Sequence, residues 1–347
     1  MEIQESKHTF SVEQLREFII SVLRTYDVKK EHAILIADIY LTAEEYGHGS
    51  HGLQRFEKLI EGIETDTHRP DFIFSILKET ASTALVDGGS GLGVIVADKA
   101  MDIAIEKAKK TGIACVGVTN TTHFGIAGYY ARKAAIQNMI GVAVCNTQPA
   151  IAPYQGKGKV LGTNPIAIAI PSAKEPVVLD MSVAGMARGK IFEAARKGLP
   201  IKEHAAVDKE GNMTTDPHKA LEGFLLPYGG DYAYKTFGLA FMIDVLSGIL
   251  TGSGFGTLVT GTADTTKPCT KGDFFIAINI EHFRSIKDFI IDTEQLKSMV
   301  KACGLNVLLP GEKELNNKNA NKGIIHLDDQ LYSMMKKISE KTAIPLP

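Results

Sequence analysis

The chain lacks tryptophan altogether, and its four cysteines, Cys115, Cys145, Cys269 and Cys303, stand far apart with no C-x-x-C pair among them. In 347 residues that spacing argues against both a disulfide framework and a thiolate metal site. Long apolar runs are missing as well. None approaches the ~20 residues that cross a bilayer, and the most tempting stretch, 239–250, is broken by Asp244 and the pair Ser247-Gly248. Neither sign of charge is in excess. Lys and Arg number 38 against 40 for Asp and Glu, a formal net charge of −2, which provides no bulk positive field to gather nucleic acid or anionic lipid. The opening residues MEIQESKHTFSVEQ have neither the basic start nor the apolar centre of a signal peptide, so a soluble, reduced, cytoplasmic protein is expected. Several signatures are absent too: no G-x-S-x-G, no Walker A loop, no H-E-x-x-H and no repeat at a fixed period.

What is present is an ordinary globular composition, 44% hydrophobic and 22% charged, in a chain long enough to build a core without staples. Ser11, with Gln14 three residues on, forms a capping-box pair; Leu15, Phe18, Ile19, Val22 and Leu23 then mark one buried helical face. Further helices are expected at about 30–45 and from residue 53, where Phe56, Leu59, Ile60 and Ile63 keep the same period. From about residue 72 the pattern changes to short Val- and Ile-rich runs. Residues 83–87, 114–119, 141–146, 165–171, 176–181 and 274–280 read as strands, with helices at 94–110 and 126–137.

Several later strands succeed one another without a helix between them, so a mixed, largely antiparallel sheet is expected rather than a doubly wound one. A helix from about 237, a return to helix after Ser285, a polar loop at 316–322 and a last helix at 327–341 complete the pattern. The fold class expected is α+β, a cofactor-binding sheet domain clasped by helices from both chain ends. Residues 1–120 with 285–347 are assigned to a helical, substrate and dimerisation domain, and 121–284 to the cofactor domain.

Gly88-Gly89-Ser90-Gly91-Leu92-Gly93 follows a strand and opens a helix, but its spacing fails the dinucleotide fingerprint: counted from Gly89, the third glycine position is Val94. A plain strand-to-helix turn is the better reading. Ser50-His51-Gly52 with Arg55 is more informative. An imidazole between small residues is accessible and titrates near neutrality, and Arg55, four residues on, shares its face if the segment is helical. A proton donor beside a planar carboxylate clamp is what a 2-oxoacid reductase needs. A helix cap with a surface arginine explains the same residues. Thr122-His123-Phe124-Gly125 ends a strand in similar fashion, with a histidine that either orients a substrate or caps a helix. His48 adds a third imidazole, but no further ligand stands at a recognisable spacing, so no metal is expected. Gly229-Gly230 with Lys235 before a helix suits a phosphate contact or a solvated lysine.

Taken together these strings resemble the malate/L-lactate dehydrogenase family, which is unrelated to the Rossmann-fold lactate and malate dehydrogenases. The similarity is carried in order by Ser50-His51-Gly52-Leu53-Gln54-Arg55-Phe56, Thr122-His123-Phe124-Gly125, Gly162-Thr163-Asn164-Pro165 and Leu179-Asp180-Met181-Ser182. It continues through Arg188-Gly189-Lys190, Thr214-Thr215-Asp216-Pro217, Ile243-Asp244-Val245-Leu246-Ser247-Gly248 and Pro310-Gly311-Glu312. Two departures are Gly49 before the Ser-His pair, where many members are acidic or bulkier, and a lengthened glycine-lysine segment at 229–238.

The resemblance implies a homodimer that moves hydride between NAD or NADP and C2 of a small 2-hydroxy acid of malate, lactate or sulfolactate type. It implies His51, His123 and Asp180 as catalytic residues, and Ser50, Arg55 and Thr163 at the substrate. Thr147, Asp180, Met181, Ser182, Lys235, Gly311, Glu312 and Lys313 would hold the cofactor. The competing expectations are reduction of a cyclic imine (a ketimine acid) and non-catalytic binding of a nucleotide or acid. Neither nucleic acid nor membrane is an expected partner.

Overall fold

The computed structural model describes residues 8–262 and 264–347, with Lys197 described by its backbone alone. A short strand β1 (His8–Ser11) leads into α1 (Val12–Thr25). Ser11 Oγ accepts from the Gln14 N–H at 3.1 Å while Gln14 Oε1 accepts from the Ser11 N–H at 2.9 Å, which closes the expected capping box. The buried face is the one read from the spacing: Leu15, Phe18, Ile19, Val22 and Leu23 all point inward. Next come α2 (Lys30–Glu45) and, after two 3₁₀ turns, α3 (Phe56–Glu64).

The chain then lays down β2 (Ser75–Glu79), β3 (Thr83–Gly91), α4 (Gly93–Thr111), β4 (Ile113–Thr121), α5 (Ala127–Ala135), β5 (Met139–Cys145), β6 (Ile166–Ile170) and β7 (Val177–Met181). Past β7 lie α6 (Arg188–Lys197), a small ribbon of β8 (Ala206–Val207) and β9 (Phe224–Leu225) with α7 (Pro217–Glu222) between them, and α8 (Ala233–Asp244). The last sheet strand is β10 (Asp273–Asn279). α9 (Ile286–Lys301), α10 (Glu312–Asn321), β11 (Ile324–Leu327) and α11 (Asp329–Thr342) complete the described chain.

Seven strands form one sheet in the order β2-β3-β4-β10-β5-β6-β7. Only β3 and β4, joined by the crossover helix α4, run parallel; the other pairings are antiparallel, as the run of strands without helices implied. β10 arrives from far along the chain and inserts between β4 and β5. Its alternation decides both faces: Phe275 and Ala277 enter the core beneath α4 and α5, while Phe274 and Ile276 meet Ala240 and Ile243 of α8 on the other side.

Three expectations of detail are corrected. Residues 316–322 are mostly helix, because the positive-φ Gly311 starts α10 and two acidic residues fill its first turn. Leu327 is not helical; it ends β11, which pairs antiparallel with β1 so that both ends of the described chain meet. α8 begins at Ala233, one turn before the expected 237. The glycine string at 88–93 serves packing. A Cβ on Gly93 would stand 2.1 Å from the Thr122 carbonyl oxygen, and one on Gly88 would stand 2.8 Å from that of Asn120.

Candidate active site

The turn that carries His51 is built around a carboxylate. Glu44, on the last turn of α2, accepts from the Leu53 N–H at 2.7 Å, and a Cβ on Gly52 would lie 2.4 Å from its Oε1. Glycine is therefore required for the loop to close over Glu44, whose burial pushes its pKa up to about 7. Within this turn Ser50 Oγ and His51 Nδ1 are 2.9 Å apart, and Arg55 Nε donates to the Ser50 carbonyl at 3.1 Å. Sequence reading missed Glu44. The cue available was the glycine pair flanking Ser50-His51, which marks a tight closure but does not name what it closes on.

His123 faces His51 from the end of β4. Thr122 Oγ1 accepts from the Gly93 N–H at 2.8 Å and donates to the Gly91 carbonyl at 2.9 Å, which ties this turn to the start of α4. The Gly125 N–H donates to His123 Nδ1 at 3.2 Å, so the neutral ring carries its proton on Nε2. The two imidazole centroids lie 5.7 Å apart with ring planes 29° from parallel. Two motifs distant in sequence thus share one pocket.

Burial pushes the His51 pKa down to about 3, and Arg55, His48 and Lys190 push it the same way. Burial also holds His123 well below its ordinary value, with Arg55 the next cause. Burial lowers the Arg55 pKa, Tyr40 opposes that, and the nearby Arg188 adds to the lowering. No carboxylate among the described residues pairs with Arg55 or Arg188. Both imidazoles are therefore neutral in the free protein, inside a pocket with uncompensated positive charge.

A second set gathers at the end of β7. Asp180 Oδ2 accepts from the Gly128 N–H at 2.7 Å, and burial raises the Asp180 pKa. The histidine charge that Asp180 feels is that of His48. A cavity of about 140 Å³ opens here, lined among others by His48, Gly128, Arg132, Val178, Asp180 and Gly311. The first turns of α5 and α10 both reach it, with the Gly128 N–H of α5 held by Asp180 and that of Glu312 in α10 by the Leu309 carbonyl. Space is made by glycine: a Cβ on Gly128 would stand 2.8 Å from Asp180 Oδ2, and one on Gly311 would stand 3.1 Å from the Val178 carbonyl.

Thr147 and Thr163 sit together, with the Thr163 N–H donating to Thr147 Oγ1 at 2.9 Å. The Val183 N–H donates to the Thr163 carbonyl at 3.1 Å, so Met181 and Ser182 run beside that pair. Other expected residues lie elsewhere. Lys235 is exposed above the rings of Tyr232 and Tyr234, at 5.4 and 5.9 Å from their centroids. Glu312 pairs with Lys301 and accepts from the Leu309 N–H at 2.9 Å, while Lys313 is exposed. No group of three or more His, Cys, Asp or Glu among the described residues is placed to hold a metal ion.

One polar pair lies deeper. Lys271 and Asp273 form a fully buried ion pair, with Lys271 Nζ 4.7 Å from the centre of the Phe124 ring beside His123. Asp273 Oδ2 has no hydrogen-bond partner among the described residues.

The family model described as malate/L-lactate dehydrogenase matches residues 10–336. The malate/(S)-sulfolactate dehydrogenase of Methanothermus fervidus is 46% identical to this chain over 97% of it and 98% of that protein. The solved structure of sulfolactate dehydrogenase from Methanocaldococcus jannaschii has a TM-score of 0.91 at 44% identity, covering 98% of both chains. Malate dehydrogenase from Entamoeba histolytica follows the same fold with a TM-score of 0.93 at 30% identity, covering 98% of this chain and 99% of that one.

Proposed function

Because the chain belongs to the malate/L-lactate dehydrogenase family and is a hydroxyacid dehydrogenase, we propose that it transfers hydride between a nicotinamide cofactor and C2 of a small 2-hydroxy acid of malate, lactate or sulfolactate type. The observation that carries the reading is the facing pair His51 and His123 beside an arginine that no carboxylate among the described residues neutralises. When bound, the reduced cofactor supplies the hydride. In that direction Arg55 binds the substrate carboxylate, and His123, with its proton on Nε2, donates a hydrogen bond to the C2 oxygen. His51 delivers the proton that completes the hydroxyl, with Ser50 fixing its ring.

The residues around the β7 cavity fit a dinucleotide. Asp180 and Gly311 line it, and Met181 and Ser182 follow Asp180 directly in the chain; Thr147, Glu312, Lys313 and Lys235 are assigned to the same cofactor on the weaker ground of motif alone. NAD and NADP are both accommodated by this proposal. A homodimer is part of it too, supported by the exposed Phe241, Met242, Leu250 and Leu258 on and after α8. The four unpaired cysteines favour a reducing, cytoplasmic setting. The division into 1–120 with 285–347 and 121–284 is proposed as one of role, since a single sheet draws strands from both sides of residue 120.

The test is a panel of pyruvate, oxaloacetate, sulfopyruvate and a ketimine acid, each followed by loss of NADH or NADPH absorbance. At least one 2-oxoacid should turn over, and His51→Ala should lower kcat by ~10²–10⁴. Turnover of the ketimine acid alone would replace this reading with imine reduction, and no turnover at all would leave a binding protein.

A further inference from the structure

We propose that Lys271, aimed by Asp273, is a positioning residue that steers the catalytic proton to His51 and keeps His123 a neutral hydrogen-bond donor. This rests on the dehydrogenase reading and gives its two imidazoles separate tasks. Gly272, between the two residues of the pair, is clamped on both sides. Its N–H donates to Asn146 Oδ1 at 2.9 Å, and its carbonyl accepts from the Asn146 N–H at 3.3 Å. A Cβ on Gly272 would stand 1.8 Å from the Ser247 carbonyl oxygen. With the backbone fixed there, strand alternation sends Asp273 to the face of β10 that carries Phe275 and Ala277, and Lys271 reaches the same face. Asp273 Oδ1 takes one N–H of the ammonium, whose charge rests over the Phe124 ring. That ring is boxed in, since Tyr130 and Phe275 meet it edge-on with centroids at 5.2 and 6.4 Å. Burial opposes the charge of Lys271, but Asp273, Cys145 and Cys269 raise its pKa overall, so it remains an ammonium.

The two imidazoles look alike until their surroundings are compared. After burial, Arg55 is the next cause that disfavours a proton on either ring, and a bound substrate carboxylate answers it. What then remains differs. Lys190 opposes a proton on His51 from an exposed side chain, where water screens it, whereas Lys271 opposes one on His123 from the core. His51 and His68 add to the effect on His123, and His48 to that on His51. The hydrogen bonds agree with the charges. Ser50 Oγ, 2.9 Å from His51 Nδ1, can accept from a second ring N–H, but His123 Nδ1 faces the Gly125 N–H, which can only donate. That amide bond is 3.2 Å long, and a small ring rotation would release it; the lysine charge acts in every ring orientation. The proton that accompanies a substrate anion therefore settles on His51. His51 passes it to the C2 oxygen, where an O–H bond forms as the ring N–H breaks.

The experiment uses Lys271→Met with Asp273→Leu, which removes the pair without stranding a charge, and Lys271→Arg, which keeps the cation. In wild type His51→Ala should lower kcat by ~10²–10⁴. In the double-variant background the same change should cost at least ~10-fold less, because His123 can then take the proton, and in Lys271→Arg the full cost should return. A pair that only stabilised the fold would leave that cost unchanged. In the enzyme–NADH–oxamate complex at pH 7, NMR of the ring nitrogens should show imidazolium at His51 alone in wild type and at both rings in the double variant. An undiminished His51→Ala cost in the double variant overturns the proposal, as does an imidazolium at His123 in wild type. A Lys271→Arg protein that behaves like the double variant also overturns it. If wild type reduces no 2-oxoacid, the dehydrogenase reading fails and the free protein decides. His123 must then titrate at higher pH in the double variant than in wild type, and the same behaviour in both down to acid unfolding overturns the proposal.

Discussion

The depressed pKa of His51 makes a quantitative demand on catalysis. An acid that protonates an alkoxide must first hold a proton, yet burial, with Arg55, His48 and Lys190 acting the same way, brings His51 down to about 3. Against an ordinary value near 6.5 the gap is about 3.5 pH units, on the order of 5 kcal/mol against protonation. At pH 7 only about one free molecule in 10⁴ carries the imidazolium. The missing free energy must come from the substrate anion, which neutralises Arg55 and draws a proton onto His51. The sign follows: the bound-state pKa lies above the free-state pKa, so between the two the complex holds one more proton than free enzyme and ligand. Across that window Kd for an anionic substrate mimic should rise about tenfold per pH unit. Oxamate binding to the enzyme–NADH complex, measured calorimetrically in buffers of different ionisation enthalpy, should show uptake approaching one proton per site at pH 7. His51→Gln should show none. In Arg55→Met the free His51 resonance should titrate higher than in wild type, although still below 6.5, because burial remains. A wild-type His51 that titrates near 6.5, or oxamate binding without proton uptake, would refute this linkage and move the acid elsewhere.

Other consequences are simpler to test. Lys271→Met leaves Asp273 buried without its partner and should cost about 3–5 kcal/mol in urea unfolding, whereas Lys271→Met with Asp273→Leu should recover most of that; equal losses would show that packing, not charge, matters there. Gly93→Ala should lower stability by ~1–3 kcal/mol, because its Cβ meets a backbone carbonyl, while NADH affinity of the folded protein stays the same. A selective loss of cofactor binding would restore the glycine string as a phosphate loop. Burial holds His68 at about 4, so its contribution to stability is full above pH 6.5 and is lost as pH falls towards 4, by on the order of 3 kcal/mol. His68→Gln should flatten the stability curve in that window, and an unchanged slope would count against it. Lys235→Ala should weaken cofactor binding more at low salt than at high salt; equal Kd values across ionic strength would leave Lys235 to solvent.

Much of the scaffold was legible because local signals and tertiary demands agree. The Ser11 capping box, the alternating faces of α1 and the Val- and Ile-rich strands each form for reasons contained within a dozen residues. Strand order was not legible in that way. β10 joins the middle of the sheet through pairing with residues more than a hundred positions away, and no local pattern announces it. The four-residue β1 and β11 are too short to show a period, and the polar surface of α10 hid a helix that is held by its first-turn chemistry. In the site, His51 and His123 carry motif signals, whereas Glu44 is recognisable only once the loop has closed on it. Arg188 stood in a matching motif, but its lack of a counter-charge is a property of three dimensions alone.

The pairing of β1 with β11 also sets an order of events during synthesis. Leu327 is made 319 residues after its partner His8, a delay of roughly 15–60 s at ~5–20 residues per second. Until then α1 and α3 lack α11, which packs on both, and the Val12 N–H lacks the Gly323 carbonyl that receives it. The ribosome thus completes the turn bearing His51 long before the segment that covers its supporting helices. A nascent chain carries a half-covered apolar layer for most of its translation, so holdase chaperones should find it there. Premature termination anywhere before residue 324 should yield a chain destined for degradation rather than a partly active enzyme.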